Sequence, residues 1–582
     1  MTDMRRTLLW VVFSMSLFLI WDSWQKYNGH PSLLSPTPAT KPVATGAAPN
    51  PNGSVPSATA VGAVAPDGSA SAAAGTPVAS ETVVITTDLV KATLDSRGGT
   101  LVRLELLKEK EEFEPAWHTP FIELFDSDAK AKAAARPRQN VVLFDRSEHR
   151  VYVAQTGVIG IPGAPNHLSV MSVLPGERTL KDGTNDLTIT FESAEQGGVK
   201  LVKSYTFHRG QYTVDVNHEL RNVGSAALAL PQVYLQLLRD AETVGGNSFY
   251  STFTGPAVYN DKSKFHKIEF KDIDKGSTSF DKTADSGWIA MVQHYFASAW
   301  IHNEPGPREF AARALDPSVT GFNRRTYEIA EVFTLPTIAP GAQQTFKAVL
   351  FAGPQEEDKL KTITPGLELV KDYGVFKIIA EPLFWLLTQL HKILGNWGWS
   401  IVGLVVLLKI AFYWLNAKAY SSMAKMKAIN PKVMELRERL KDKPQQMQQE
   451  MMRIYREEKI NPLGGCLPIF VQMPFFIALY WVLLSSVEMR HAPWIGWITD
   501  LSARDPFFIL PLLMTLSSLL QTWLNPTPPD PVQARMMWIM PLVFSVMFFF
   551  FPAGLVLYWL TNNILSIAQQ YIINKRLGVL GK

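Results

Sequence analysis

Cysteine is almost missing from this chain. Cys466 is the only one in 582 residues, so no disulfide can form within the chain. That leaves the redox compartment open, because a domain outside the cytoplasm need not contain disulfides. Charged residues are scarce at 19%, and they are unevenly placed. Residues 31–80 hold almost none, with few large apolar residues among many Pro, Ala, Ser, Gly and Thr. Such a composition cannot bury a core and predicts a flexible linker with no docking motif. Long helical patterns are scarce before residue 355. The chain also lacks an internal repeat. Its later apolar segments lack a nucleophile motif, a metal-ligand cluster and paired carboxylates, which argues against a membrane enzyme. His294, His302 and Glu304 lie close in sequence but without metal-ligand spacing, and they read as surface or packing residues.

The start is basic, with Arg5 and Arg6 ahead of the apolar stretch Thr7–Trp24. Trp21, Trp24 and Tyr27 follow, aromatics suited to a membrane interface, with no small-residue cleavage site directly after the stretch. Residues 1–30 therefore read as an uncleaved signal-anchor span. From about Thr82 the pattern turns to period two. Leu187, Ile189 and Phe191 alternate with polar residues, as in a half-buried strand. Two such runs flank Arg209-Gly210 and predict a hairpin. The pairs Gly98-Gly99, Gly197-Gly198 and Gly245-Gly246 punctuate further short strands. Residues 81–365 are thus expected to form a large antiparallel β-sandwich. Residues 366–395 carry a broad apolar face interrupted by Lys377, Glu381, Gln389, His391 and Lys392. They predict an amphipathic helix lying in the membrane interface, with a kink or break at Pro382.

Five later segments have membrane-span hydropathy: Trp397–Asn416, Leu467–Val487, the short Phe507–Leu524, Met536–Phe551 and Leu555–Ile573. A tight turn at Pro552-Ala553-Gly554 separates the last two. With the anchor this makes six. Residues 417–462 hold eleven Lys and Arg against six acidic residues, whereas 488–506 holds only Arg490 and Arg504. The positive-inside rule then puts 417–462 and both termini in the cytoplasm and the β domain outside, in the periplasm. An even number of spans gives the same result. Within 417–462, Met426, Ile429, Val433, Leu436 and Leu440, then Met447, Met451 and Ile454, recur at helical spacing around Pro444. They predict a basic helical hairpin. The fold class is therefore a polytopic α-helical membrane protein of six spans. It carries a large periplasmic antiparallel β-sandwich and a cytoplasmic helical hairpin. The divisions fall at 1–30, 31–80, 81–365, 366–395, 396–416, 417–462 and 463–582.

Lys409 stands out within this scheme. An ammonium deep in an apolar segment costs about 2.5–3.5 kcal/mol on insertion scales, and such residues usually face a bundle interior or a wet cavity. Gln472, Gln521, Asn562 and Asn563 are the other polar side chains within spans.

Several motifs together resemble a known family. Asn461 to Pro468, Gln472 to Pro474 and Ala478 to Tyr480 are similar to the third-span signature of the YidC/Oxa membrane-protein insertases. Gly395 to Ser400, Ser422 to Met426, Pro526 to Pro531 and Phe551 to Trp559 match further stretches. Ser286 to Phe296 with Ala299-Trp300 resembles the periplasmic domain of the Gram-negative YidC branch. The resemblance implies an insertase and chaperone for inner-membrane proteins, acting alone or beside the Sec translocon. It implies no cofactor, no metal and no DNA. It also implies a cationic groove open to cytoplasm and lipid, with Lys409 where the family usually has arginine. Gln472 and Asn562 sit at matching positions, and Gln521 is a further candidate lining residue. Met473, Phe476, Met540, Phe544, Tyr558 and Trp559 are the candidate apolar contacts for clients. Expected partners are nascent membrane proteins, the Sec translocon, anionic phospholipids, and a ribosome or targeting receptor at the hairpin. The alternative class, a small-solute transporter or channel, would need more coordinating polar residues than one lysine and a few amides.

Overall fold

Alternation of apolar and polar residues builds the β half. The computed structural model describes residues 54–56, 80–111, 138–242, 252–440, 443–458, 467–525 and 531–578. The signal anchor, Gly245-Gly246, Asn461 to Cys466 and Pro526 to Asp530 lie outside the described residues. The chain forms two units, a β unit ending at Asp372 and a helical unit from Tyr373 onward.

Among the described residues eighteen strands, numbered in chain order, make two nine-stranded sheets with antiparallel ladders throughout. One runs β1 (Thr82–Thr86), β2 (Val90–Asp95), β3 (Thr100–Lys110), β4 (Asn140–Arg146), β5 (Val151–Ile159), β10 (Gln232–Asp240), β17 (Thr326–Thr334), β16 (Arg308–Leu315), β13 (Thr283–Ala284). The other runs β12 (Lys264–Lys267), β11 (Gly255–Asn260), β14 (Gly287–Val292), β15 (Phe296–Ile301), β18 (Gln343–Pro354), β9 (Thr213–Asn222), β8 (Val199–His208), β7 (Asp186–Ser193), β6 (Met171–Val173). In β7, β8 and β9 every second residue is buried, the period that the sequence carries. β8 and β9 pair as the expected hairpin, Phe207 opposite Val214, and Gly210 takes the left-handed φ of +73° that the turn requires.

β5 and β10 are buried along their whole length. Both faces are covered, so alternation fails there and polar side chains enter the core. Lys203 is 1% exposed, and its Nζ donates to Gly98 O at 2.6 Å and Thr156 O at 3.1 Å. Burial pushes its ammonium down to about 7. Arg308, also buried, donates to the carbonyls of Gly287, His302 and Glu304 and to Glu331 Oε1 at 3.1 Å. Burial in turn raises the Glu331 carboxyl, with Arg308 opposing it. His302 stacks on Phe346, Glu304 offers Arg308 a carbonyl, and His294 bonds Thr252.

The β unit reaches further than the expected boundary at 365. Leu367 and Val370 are fully buried with Leu360 and Trp288 in its core, because a short helix (Glu357–Ile363) and a 3-10 turn (Leu367–Val370) fold back over it.

The helical unit contains α1 (Lys377–Leu394), α2 (Trp397–Ala411), α3 (Tyr413–Arg439), α4 (Pro444–Glu457), α5 (Leu467–Ser485), α6 (Ile509–Leu524), α7 (Pro531–Phe548) and α8 (Ala553–Arg576). α1 packs on α2 and α5, and α8 packs on α2, α3 and α6. Two expectations need correction. α1 is one helix with Pro382 inside it, so the chain does not break there. The segment Trp397–Asn416 is not one helix. It breaks at Phe412, and α2 and α3 meet at 69°. Among the described residues no single helix is long and apolar enough to cross a membrane; the bent α2–α3 pair is, by length and composition. In α8 the apolar run is interrupted by Asn562, Asn563, Gln569 and Gln570. α3 and α4 form the hairpin the spacing predicts: Ile429 and Val433 pack against Met451, Ile454 and Tyr455.

Candidate functional site

The last turn of α2 carries Lys409. Unpaired carbonyls at a helix C-terminus favour a cation there. The side chain does not run outward. Its Nζ donates to Ser566 Oγ on α8 at 2.7 Å, and Ser566 Oγ donates to Asn562 O at 2.7 Å. A pocket opens beside it. Lys409, Gln472 and Asn562 give it polar walls; Leu408, Phe412, Phe475, Phe476 and Tyr558 give it apolar ones. Gln472 Nε2 donates to Asn416 Oδ1 at 2.9 Å, while the buried Asn416 Nδ2 has no partner among the described residues. Phe476 lies tilted against Tyr558, their rings 5.9 Å apart. The arrangement offers one positive charge, several amide donors and acceptors, and aromatic surface.

Five residues singled out from the sequence therefore meet: Lys409, Gln472, Asn562, Phe476 and Tyr558. The others do not. Gln521 is off the pocket on α6, because α8 turns Asn563 toward α6 instead, where it bonds Ser517 and Ser518. Trp559 packs edge-on against Phe548, 4.6 Å between rings. Met473, Met540 and Phe544 stand exposed on the outer faces of α5 and α7. Sequence reasoning missed Ser566 and Asn416. Ser566 had a signal: Asn562, Ser566 and Gln570 recur every four residues and share one face of α8. Asn416 had none, because only the break at Phe412 turns it inward.

A second set of buried polar groups lies in the β unit. Tyr234 Oη accepts from the backbone N–H of His167 at 3.1 Å and lies 2.6 Å from His167 Nδ1. Burial, then Lys203 and Arg313, pull the imidazole down to about 3, so it is neutral. Gln236 Nε2 donates to Glu328 Oε2 at 3.2 Å, and Arg313 pairs with that carboxylate at 3.0 Å.

Fold and pocket together define a class: a helical membrane protein with a cationic pocket among its helices and a large β-sandwich outside the bilayer. Two family models match, a 60Kd inner membrane protein over residues 389–578 and the YidC periplasmic domain over residues 130–386. The membrane protein insertase YidC of Cupriavidus metallidurans is 52% identical over 579 residues, covering 99% of this chain and 98% of that protein. The one from Ralstonia nicotianae is 52% identical over 580 residues with the same coverage. A crystal structure of an active YidC insertase, with its first transmembrane domain resolved, covers 85% of this chain and 93% of its own at 18% identity and a TM-score of 0.38. The chain belongs to the YidC family of membrane protein insertases. It is an inner-membrane protein with a periplasmic domain, and not an enzyme.

Proposed function

We propose that this chain inserts and folds client proteins in the inner membrane through the pocket at Lys409. The observation that carries the reading is the ammonium itself, held inward by Ser566 beside Gln472 and Asn562. A polar client tail crossing the bilayer meets its barrier in the hydrocarbon core, and polar contacts partway through lower it. Lys409 attracts acidic residues of the tail as a point charge. It lacks arginine's planar five-donor fork, so the attraction is electrostatic rather than bidentate. The client's apolar segment slides against Phe476 and Tyr558 and the exposed Met473, Met540 and Phe544, where flexible thioethers suit varied sequences.

Six spans fit this reading, with residues 396–416, α2 and the first turn of α3, as the second and both termini cytoplasmic. α6 has 16 residues, about 24 Å at 1.5 Å per residue, which favours local bilayer thinning. The basic hairpin is the surface for anionic phospholipid and for a ribosome or targeting receptor, and the Sec translocon is a partner for larger clients.

The test is insertion of a small client with an acidic translocated tail into liposomes holding purified protein. Lys409→Arg is expected to insert like wild type. Lys409→Ala should fall about tenfold, the scale of one charge-assisted contact, and Lys409→Glu should be inactive. Equal insertion by all four proteins would overturn the role of this charge.

A further inference from the structure

Ser54, Val55 and Pro56 lie in the low-complexity stretch that composition marks as a linker, yet they are seated on the β unit. Ser54 is 5% exposed and Pro56 is buried. The linker expectation does not hold for these three residues, because the β unit supplies partners for the Ser54 hydroxyl and carbonyl.

The contacts are specific. Tyr234 Oη accepts from the His167 backbone N–H at 3.1 Å and lies 2.6 Å from His167 Nδ1. The other ring nitrogen, Nε2, is hydrogen-bonded to Ser54 Oγ at 3.1 Å. Gln236 Nε2, already on Glu328, reaches Ser54 O at 3.4 Å. Val55 packs against Ile159, Tyr234 and Val332. Proline has no N–H, so Pro56 is buried without orphaning a donor. His167, Tyr234, Gln236 and Glu328 are each at most 4% exposed. Buried polar groups of this kind require partners, and here the hydroxyl and carbonyl of one serine serve two of them.

We propose that the β domain carries a peptide site, formed by β5, β10, β17 and the His167 segment, whose occupant is the chain's own Ser54-Val55-Pro56. The ligand class is a short segment with a small hydroxyl residue, then a β-branched aliphatic one, then proline. A resident held in cis has an effective concentration on the order of millimolar, so it excludes weaker peptides in trans.

The test uses the full chain in detergent and a fluorescent peptide with the sequence of residues 51–59. A variant with Ser54→Gly, Val55→Gly and Pro56→Gly should bind the peptide at least tenfold more tightly than wild type does. Peptides carrying Ser54→Ala or Val55→Asp should each bind it at least tenfold more weakly. No binding by a variant whose β domain still resists protease, equal binding by wild type, or indifference to the peptide changes would overturn the proposal. A photo-crosslinker at Val55 in the otherwise unaltered chain gives a check that does not depend on the glycine variant. It should label peptides containing Ile159, Tyr234 or Val332, and labelling elsewhere would overturn the assignment.

Discussion

A lysine tolerates burial only where its donors find acceptors, and the buried Lys203 and the half-buried Lys409 solve this differently. Lys409, in the last turn of α2, donates to the Ser566 hydroxyl. Lys203 meets two carbonyls in the β core. A neutral amine has two N–H donors, and two carbonyls satisfy both. Its amine is pulled from 10.5 to about 7 by burial. Between those values the unfolded chain binds a proton that the folded chain does not, so stability contributed at this position rises with pH across that window and is flat below it. Relative to Lys203→Met, wild type should gain up to about 1.4 kcal/mol per pH unit from pH 7 to 10. Urea-dependent proteolysis of the β domain, read in the full chain, measures the difference. Parallel pH profiles for the two proteins would show that the amine is already neutral in both states or charged in both.

At the scale of elements, the stretch Gly395 to Ser400 shows why a sequence motif takes the form it does. Gly395 ends α1 in the left-handed conformation, φ +65°. Asn396 caps α2, accepting from Trp399 N, and its amide donates to the carbonyls of Pro493 and Trp494. Gly398 leaves room for Trp494, since a Cβ there would lie 2.2 Å from the ring. One short segment thus joins two helices and fastens the 486–506 loop over them. Asp505 fastens the loop's other end, accepting from Phe507 N, Leu510 N and Trp497 Nε1. Gly398→Ala should lower the stability of the helical unit by about 1–3 kcal/mol, the usual cost of overpacking. Asp505→Ala should cost about 1–2 kcal/mol as a lost helix cap. Thermal unfolding in detergent, followed by helical circular dichroism, checks both. Unchanged midpoints would mean that the loop is not coupled to the helices.

For the whole molecule, the division of labour follows from where the chemistry lies. Every polar group of the proposed insertion site belongs to the helical unit, and the β unit contributes none. A variant lacking residues 81–350 should therefore insert the test client within about twofold of wild type, once its assembly in the membrane is verified. Loss of insertion despite correct assembly would move part of the activity into the β domain.

Much of the architecture was determined by the sequence alone. Period-two alternation marked β7 to β9, and helical spacing marked α3 and α4, because side-chain direction along a regular element follows from backbone geometry. A cation in an apolar run marked Lys409, because its cost must be met somewhere. The tertiary structure decided what periodicity does not encode. The break at Phe412 turned Asn416 toward Gln472, and the rotation of α8 set Ser566 against Lys409 and left Gln521 aside. Placement of Leu367 and Val370 in the β core, and of Ser54 to Pro56 on the same unit, likewise depended on partners distant in sequence. Local pattern fixes which face of an element is apolar; only packing chooses the neighbour that face meets.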